Sequence, residues 1–260
     1  MTLAMNYKLL LDNQMGTSLV NFCEPDNYSS IFVEKFNVWS SLVISLFGIL
    51  GIIKLFYSNE LTDLLKKHTG ISLKQEFSNR SFNFRLLLNI ILFFIGIGSF
   101  LFHSKTSQFY HWIDIFFISL ILILAEYQLD NMFKDKAVLF YYVVGFIHLI
   151  TSLLLPSIHI FIQFGTGFMI VKKINYHMIK FKNNIINNYD IAQIYKKIEY
   201  KYNKTKIIFY LSLLCWIIDY FGCKFIKPLH THWIFHIGIG WMSYLIIDLT
   251  KYLYLSKTLN

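Results

Sequence analysis

The chain has 260 residues, 55% of them hydrophobic and only 15% charged, with a mean hydropathy of +0.49. A soluble globular domain carries about 25% charged residues, so this composition excludes an ordinary water-soluble fold. The net charge of +9 then becomes a question of membrane topology rather than of nucleic-acid binding. Three prolines and twelve glycines favour long uninterrupted helices, and the lack of alternating ten-residue segments excludes a membrane β-barrel.

Residues 1–37 contain no apolar core ahead of a small-residue cleavage site, so no signal peptide is expected. The segment reads as an N-terminal extracytoplasmic stretch with an acidic motif. Residues 21–41 are NFCEPDNYSSIFVEKFNVWSS, which gathers the oxygen donors Glu24, Asp26, Asn27 and Glu34 in a chain with only 15 acidic residues. Hard oxygen ligands suit calcium, which takes six to eight of them. The spacing is not that of an EF-hand, and a polar juxtamembrane segment that caps the first helix explains the same residues. Asn27-Tyr28-Ser29 is also a glycosylation sequon.

Seven apolar runs of about membrane length follow: 38–57, 86–104, 111–127, 138–155, 157–171, 207–223 and 232–250. The fourth and fifth meet at Leu155-Pro156-Ser157, a turn signal. Between the fifth and sixth lies 172–206, polar and rich in Asn and Lys, expected as the one sizeable loop; its KKIEYKYNKTK could extend the sixth helix. The predicted architecture is all-α: a polytopic membrane protein, a seven-transmembrane helix bundle. It has one membrane domain over 38–250 and a tail at 251–260.

Seven crossings put the termini on opposite sides. The side holding the N-terminus would carry Lys8, Lys35, Lys105, Lys224 and Lys227, which is 5 of the 24 basic residues. The other side takes the remainder, including Lys172, Lys173, Lys196, Lys197 and Lys201. The positive-inside rule makes that second side cytoplasmic. Cys23 and Cys223 then share the extracytoplasmic side, where an oxidising lumen lets them pair, while Cys215 stays a buried thiol within the sixth run.

Ionisable side chains inside hydrocarbon cost about 2.5–3.5 kcal/mol for Asp on insertion scales, so those present call for a reason. His103 ends the second run, Asp114 opens the third, and His232 and His236 open the seventh. Crossing direction places all four at the same, extracytoplasmic end. His232 and His236, four apart, share one helix face. With His103 they make a three-histidine set able to hold zinc and leave one position for water, whose pKa zinc lowers towards ~7. Ser99 lies one turn before His103 and can donate a hydrogen bond to a substrate carbonyl. Asp114 can position a water and take its proton, or orient a ligating imidazole. Of the other histidines, His68, His111, His148, His159, His177 and His230 read as structural or solvent-facing, with His111 and His230 nearest the site.

These pieces resemble the alkaline ceramidases, within a wider superfamily of seven-span membrane hydrolases that includes the adiponectin and progestin receptors. The matching motifs are Cys23-Glu24 with Glu34-x-x-Asn37-x-x-Ser40, Gly96-x-Gly98-Ser99-x-x-x-His103, Asp114, Trp216-x-x-Asp219-x-x-x-Cys223 and His232-x-x-x-His236. They cover nearly the whole chain in the family's order. The resemblance implies cleavage of the ceramide amide to a sphingoid base and a fatty acid. It implies zinc on His103, His232 and His236, with Ser99 and Asp114 at the site, and a disulfide between Cys23 and Cys223. It implies a calcium site whose acidic ligands are Glu24 and Glu34, with Asn21, Asp26 and Asn27 beside them. Asn21 stands where the family carries Asp, Asp26 stands where it carries Asn, and Ile115 follows Asp114 where it carries Glu, so calcium is less well supported than zinc.

The expected function is an intramembrane zinc amidohydrolase acting on a ceramide-like membrane lipid, in an ER or Golgi membrane if the cell is eukaryotic. A zinc-dependent lipid ester hydrolase and a seven-span receptor with structural zinc are the alternatives. No nucleic-acid partner is expected.

Overall fold

The computed structural model describes residues 23–24, 31–57, 75–133, 138–184, 189–226 and 230–258. Among these, the protein is all-helical: α1 (Lys35–Tyr57), α2 (Gln75–Lys105), α3 (Gln108–Phe133), α4 (Val138–Leu154), α5 (Pro156–Asn184), α6 (Tyr189–Ile226) and α7 (His232–Thr258). Helices are what such a sequence must form in lipid, because every backbone N–H and C=O needs an internal partner there.

Five described segments are long and apolar enough to cross a membrane: Lys35–Tyr57, Ser81–Lys105, Gln108–Leu129, Tyr195–Gly222 and His232–Thr250. Large apolar residues such as Phe56, Phe116, Phe146, Phe161 and Phe221 stand exposed on the outer surface. In water such a surface would aggregate, and in a bilayer it is the solvent-facing one. The protein is an integral membrane protein on these grounds. The fourth and fifth predicted spans are α4 and α5. Within α4 the shorter stretch Val143–Ser152 is apolar, and α5 mixes inward polar residues such as His159, Gln163 and Thr166 into its apolar run.

The expected loop at 172–206 is mostly helix. α5 continues to Asn184 and α6 begins at Tyr189. No glycine or proline occurs in that stretch, and lysines make good helix formers once clear of the membrane. KKIEYKYNKTK does extend the sixth helix, as its pattern suggests.

α1 packs against α2 and α7, α2 against α3, and α6 against α7. A core of Ile44, Leu88, Leu92, Ile95, Ile121 and Ile247 joins α1, α2, α3 and α7. Close helix approach depends on glycine. A Cβ on Gly96 would sit 2.4 Å from Ser45 N and 2.7 Å from Ser41 O, and one on Gly98 would sit 3.2 Å from Asp114 Cα. These two positions draw α1 and α3 onto α2 where Ser99 and His103 lie. Between α2 and α3 the chain reverses through Thr106, whose φ of 46° is left-handed and costs about 1–2 kcal/mol in an L-residue.

At the end of the bundle away from His103 and His232, buried acids fasten the helices. Asp248 pairs with Lys54 at 3.0 Å and Lys201 at 2.9 Å, tying α7 to α1 and α6. Glu126 pairs with Lys173 at 2.7 Å, tying α3 to α5.

Candidate metal centre

His103, His232 and His236 are all buried and offer nitrogen atoms that lie within 4.8 Å of one another. Their rings are close neighbours: His103 is 5.3 Å from His232 and 4.9 Å from His236 between centroids, and His232 is 4.5 Å from His236. The i,i+4 spacing on α7 and the end of α2 deliver them to one point.

The rings of His103 and His236, and the backbone of His232, are held by groups on adjoining segments. His103 Nδ1 contacts Glu34 Oε2. A carboxylate only accepts, so Nδ1 carries the proton and Nε2 is the nitrogen with the lone pair. Glu34 is itself fixed by Asn37 Nδ2, which donates to Oε2 at 3.0 Å, and by its backbone N–H, which donates to His103 O at 3.1 Å. His236 Nδ1 lies 2.9 Å from Ser40 Oγ and 3.3 Å from Ser41 Oγ. Both hydroxyls reach Asn37 O, at 3.0 and 2.6 Å, so their oxygens are placed to accept from Nδ1–H, and Nε2 is again the nitrogen with the lone pair. His232 opens α7, and Asp219 Oδ1 accepts the backbone N–H groups of Thr231 at 3.1 Å and His232 at 3.3 Å. That is an N-cap supplied from another helix. Asp219 Oδ2 lies 3.9 Å from His232 Nδ1. Outer partners that fix tautomer and ring orientation are what a metal site built on histidine requires.

The donor set fits zinc. Three neutral imidazole nitrogens in a buried site match a three-ligand, one-open-position arrangement. Asp114 adds a second indication: its Oδ1 is buried with no hydrogen-bond partner among the described residues, an arrangement that is costly unless something else meets it. Ser99 Oγ lies 3.5 Å from His236 Nε2 and 3.0 Å from Ser41 Oγ. Ser99, Asp114 and the three histidines all line one chamber of about 130 Å³ whose remaining wall is largely apolar.

The acidic motif divides. Asn21, Asp26 and Asn27 lie outside the described residues. Glu24 accepts the backbone N–H groups of Phe36 at 2.8 Å and Asn37 at 3.0 Å, so it caps α1 from a distance. Burial pushes its carboxyl above the ordinary value, against the pull of those two bonds. Glu34 serves His103. Of the two described acids, Glu24 thus makes the contacts of the helix-cap alternative. Cys23 presents its N–H to Asp219 Oδ2 at 3.2 Å, and its Sγ lies 3.0 Å from Asp219 O; the side chain of Cys223 lies outside the described residues.

Among the other histidines, His111 lines the chamber and stacks on Phe102 with centroids 4.7 Å apart. His159 bonds Ser119 at 2.9 Å and Thr151 at 2.7 Å, and His148 bonds Thr166 at 3.2 Å, which makes them buried packing groups. Ser40, Asn37 and Asp219 had been visible only as motif letters, and Ser41 and Gln163 carried no signal beyond being polar within apolar runs.

The ceramidase family model matches residues 14–260. Among curated proteins, a provisionally named alkaline ceramidase of Dictyostelium discoideum is 25% identical over 266 residues, covering 90% of this chain and 88% of that one.

Proposed function

Because the chain belongs to the ceramidase family, we propose that it is a zinc-dependent amidohydrolase that cleaves ceramide into a sphingoid base and a fatty acid. The observation that carries the reading is the convergence of three oriented imidazoles and one unpartnered carboxylate on the wall of an apolar chamber. An apolar chamber suits a lipid tail, and polar groups gathered on part of its wall suit a single polar linkage.

His103, His232 and His236 would hold the ion. When bound, zinc polarises a carbonyl and lowers the pKa of water. The chain's own groups supply the rest. Asp114 takes the proton from the attacking water and returns it to the amide nitrogen as the C–N bond breaks, so the base leaves as a neutral amine. Ser99 donates its hydroxyl hydrogen to the carbonyl oxygen as negative charge gathers there. Glu34, Asp219 and Ser40 keep the imidazoles aimed, and the chamber wall excludes bulk water.

The reading extends to the whole chain. α4 and α5 serve as the remaining two of seven crossings, residues 1–37 are extracytoplasmic, 38–250 form the membrane domain and 251–260 a cytoplasmic tail. The site then faces the lumenal half of an ER or Golgi membrane. Calcium enters only through the motif shared with the family, on Glu24 and Glu34. Cys23 is proposed to pair with Cys223, which stands one helical turn beyond Asp219 on α6. A non-reduced digest should yield a cross-linked Cys23–Cys223 peptide and alkylate only Cys215; an alkylated Cys23 would count against the pairing.

The test of the reaction is product analysis. Purified protein offered mixed ceramides and phospholipids should release free sphingoid base. Lysolipid alone would indicate an ester hydrolase, and bound zinc without any product a receptor.

A further inference from the structure

Gln163 stands on α5 with its side chain nine-tenths buried and forms part of the chamber wall. Its side-chain nitrogen donates to Ile115 O at 3.3 Å and to Ser119 Oγ at 3.3 Å. Ile115 O can only accept, so the amide is oriented with Nε2 towards α3 and cannot flip without setting two carbonyl oxygens against each other. Oε1 is therefore the fixed, outward atom, and no hydrogen-bond donor meets it among the described residues. Ile115 directly follows Asp114, so this amide is anchored to the backbone one residue from Asp114, in the wall of the chamber that Asp114 also lines. The chamber's other polar side chains include the three candidate ligand imidazoles, His111, Ser99, Asp114 and Ser243; Gln163 bonds none of them.

Resting on the proposed reaction, we infer that Gln163 Oε1 is the specificity element that accepts the amide N–H of the substrate. An ester carries oxygen at that place. Its lone pairs would face Oε1 and leave the buried acceptor unpaired, whereas an amide satisfies it. Sites that bond a substrate N–H reject analogues lacking it far more strongly than apolar pockets reject a change of size. The family's chemistry could in principle open either linkage, and this one oriented amide selects the nitrogen-linked lipid. Ser119 is a positioning residue, since it acts by holding Nε2.

The experiment compares purified full-length protein, zinc-loaded, on two probes: a ceramide, and its isosteric ester in which oxygen replaces the amide N–H. Gln163→Leu keeps the volume and removes the acceptor, and should lower the amide-to-ester rate ratio about tenfold, with ester turnover held or raised. Ser119→Ala leaves Gln163 in place with one anchor gone and should lower the ratio severalfold. Misfolding lowers both rates together and leaves the ratio alone, and if Gln163→Leu turns over neither probe the Ser119→Ala ratio decides. An unchanged ratio in a variant that still cleaves ester overturns the assignment. A wild type that releases no sphingoid base overturns the proposed reaction instead.

Discussion

His232→Ala is expected to empty the metal centre and stop turnover in the same step. Two imidazoles remain after the change, and the open position can no longer be defined by three ligands. Loss even of an outer partner typically costs about 10–100-fold in metal affinity, so loss of a ligand should exceed that. Zinc content of the purified variant, measured beside sphingoid-base release, checks both halves. The helical content should hold, because Asp219 caps α7 through the backbone N–H groups of Thr231 and residue 232 rather than through the ring. A variant that keeps full hydrolysis would sink the metal-centre reading.

Asp114→Asn separates proton handling from metal binding. Asparagine matches aspartate in size, and Asp114 makes no side-chain hydrogen bond that the change would break at Oδ1. Zinc should stay, because the His103 and His236 rings take their orientation from Glu34, Ser40 and Ser41, and Asp219 caps the backbone at His232, all without Asp114. The rate constant kcat should fall by about 10²–10⁴, the span of positioned general acid–base catalysis, with little change in KM. If zinc leaves together with activity, Asp114 orients a ligand and does not carry the proton.

Much of this was readable from residue type and spacing. Helices followed from apolar runs with few breakers, and the three candidate ligands followed from the cost of histidine in hydrocarbon combined with the expected alternation of crossing direction. Asp114 and Ser99 were legible because they fall at the same depth. What orients the ligands was not. Asp219 reaches Thr231 and His232 across a helix-to-helix junction, and Ser40 reaches His236 over 196 residues of chain; no local pattern encodes such a contact. Gln163 resembles any polar residue in an apolar run until Ile115 O and Ser119 Oγ orient it. The 172–206 segment misled for a compositional reason: polarity marks exit from the membrane, while the lack of glycine and proline governs whether the helix stops.

Asp219 also sets an order of events in the making of the protein. One carboxylate gathers Cys23, 196 residues earlier in the chain, and the start of α7 after it. At about 5–20 residues per second, the ribosome needs on the order of ten to forty seconds to travel from the first partner to the last. Until α7 inserts, Ser40 and Ser41 keep their bonds to Asn37 O but lack the His236 ring, and Asp219 lacks the two N–H groups of Thr231 and His232. A chain interrupted before His232 is thus left with a carboxylate in the bilayer short of two of its donors, a costly arrangement by which an unfinished protein differs from a finished one.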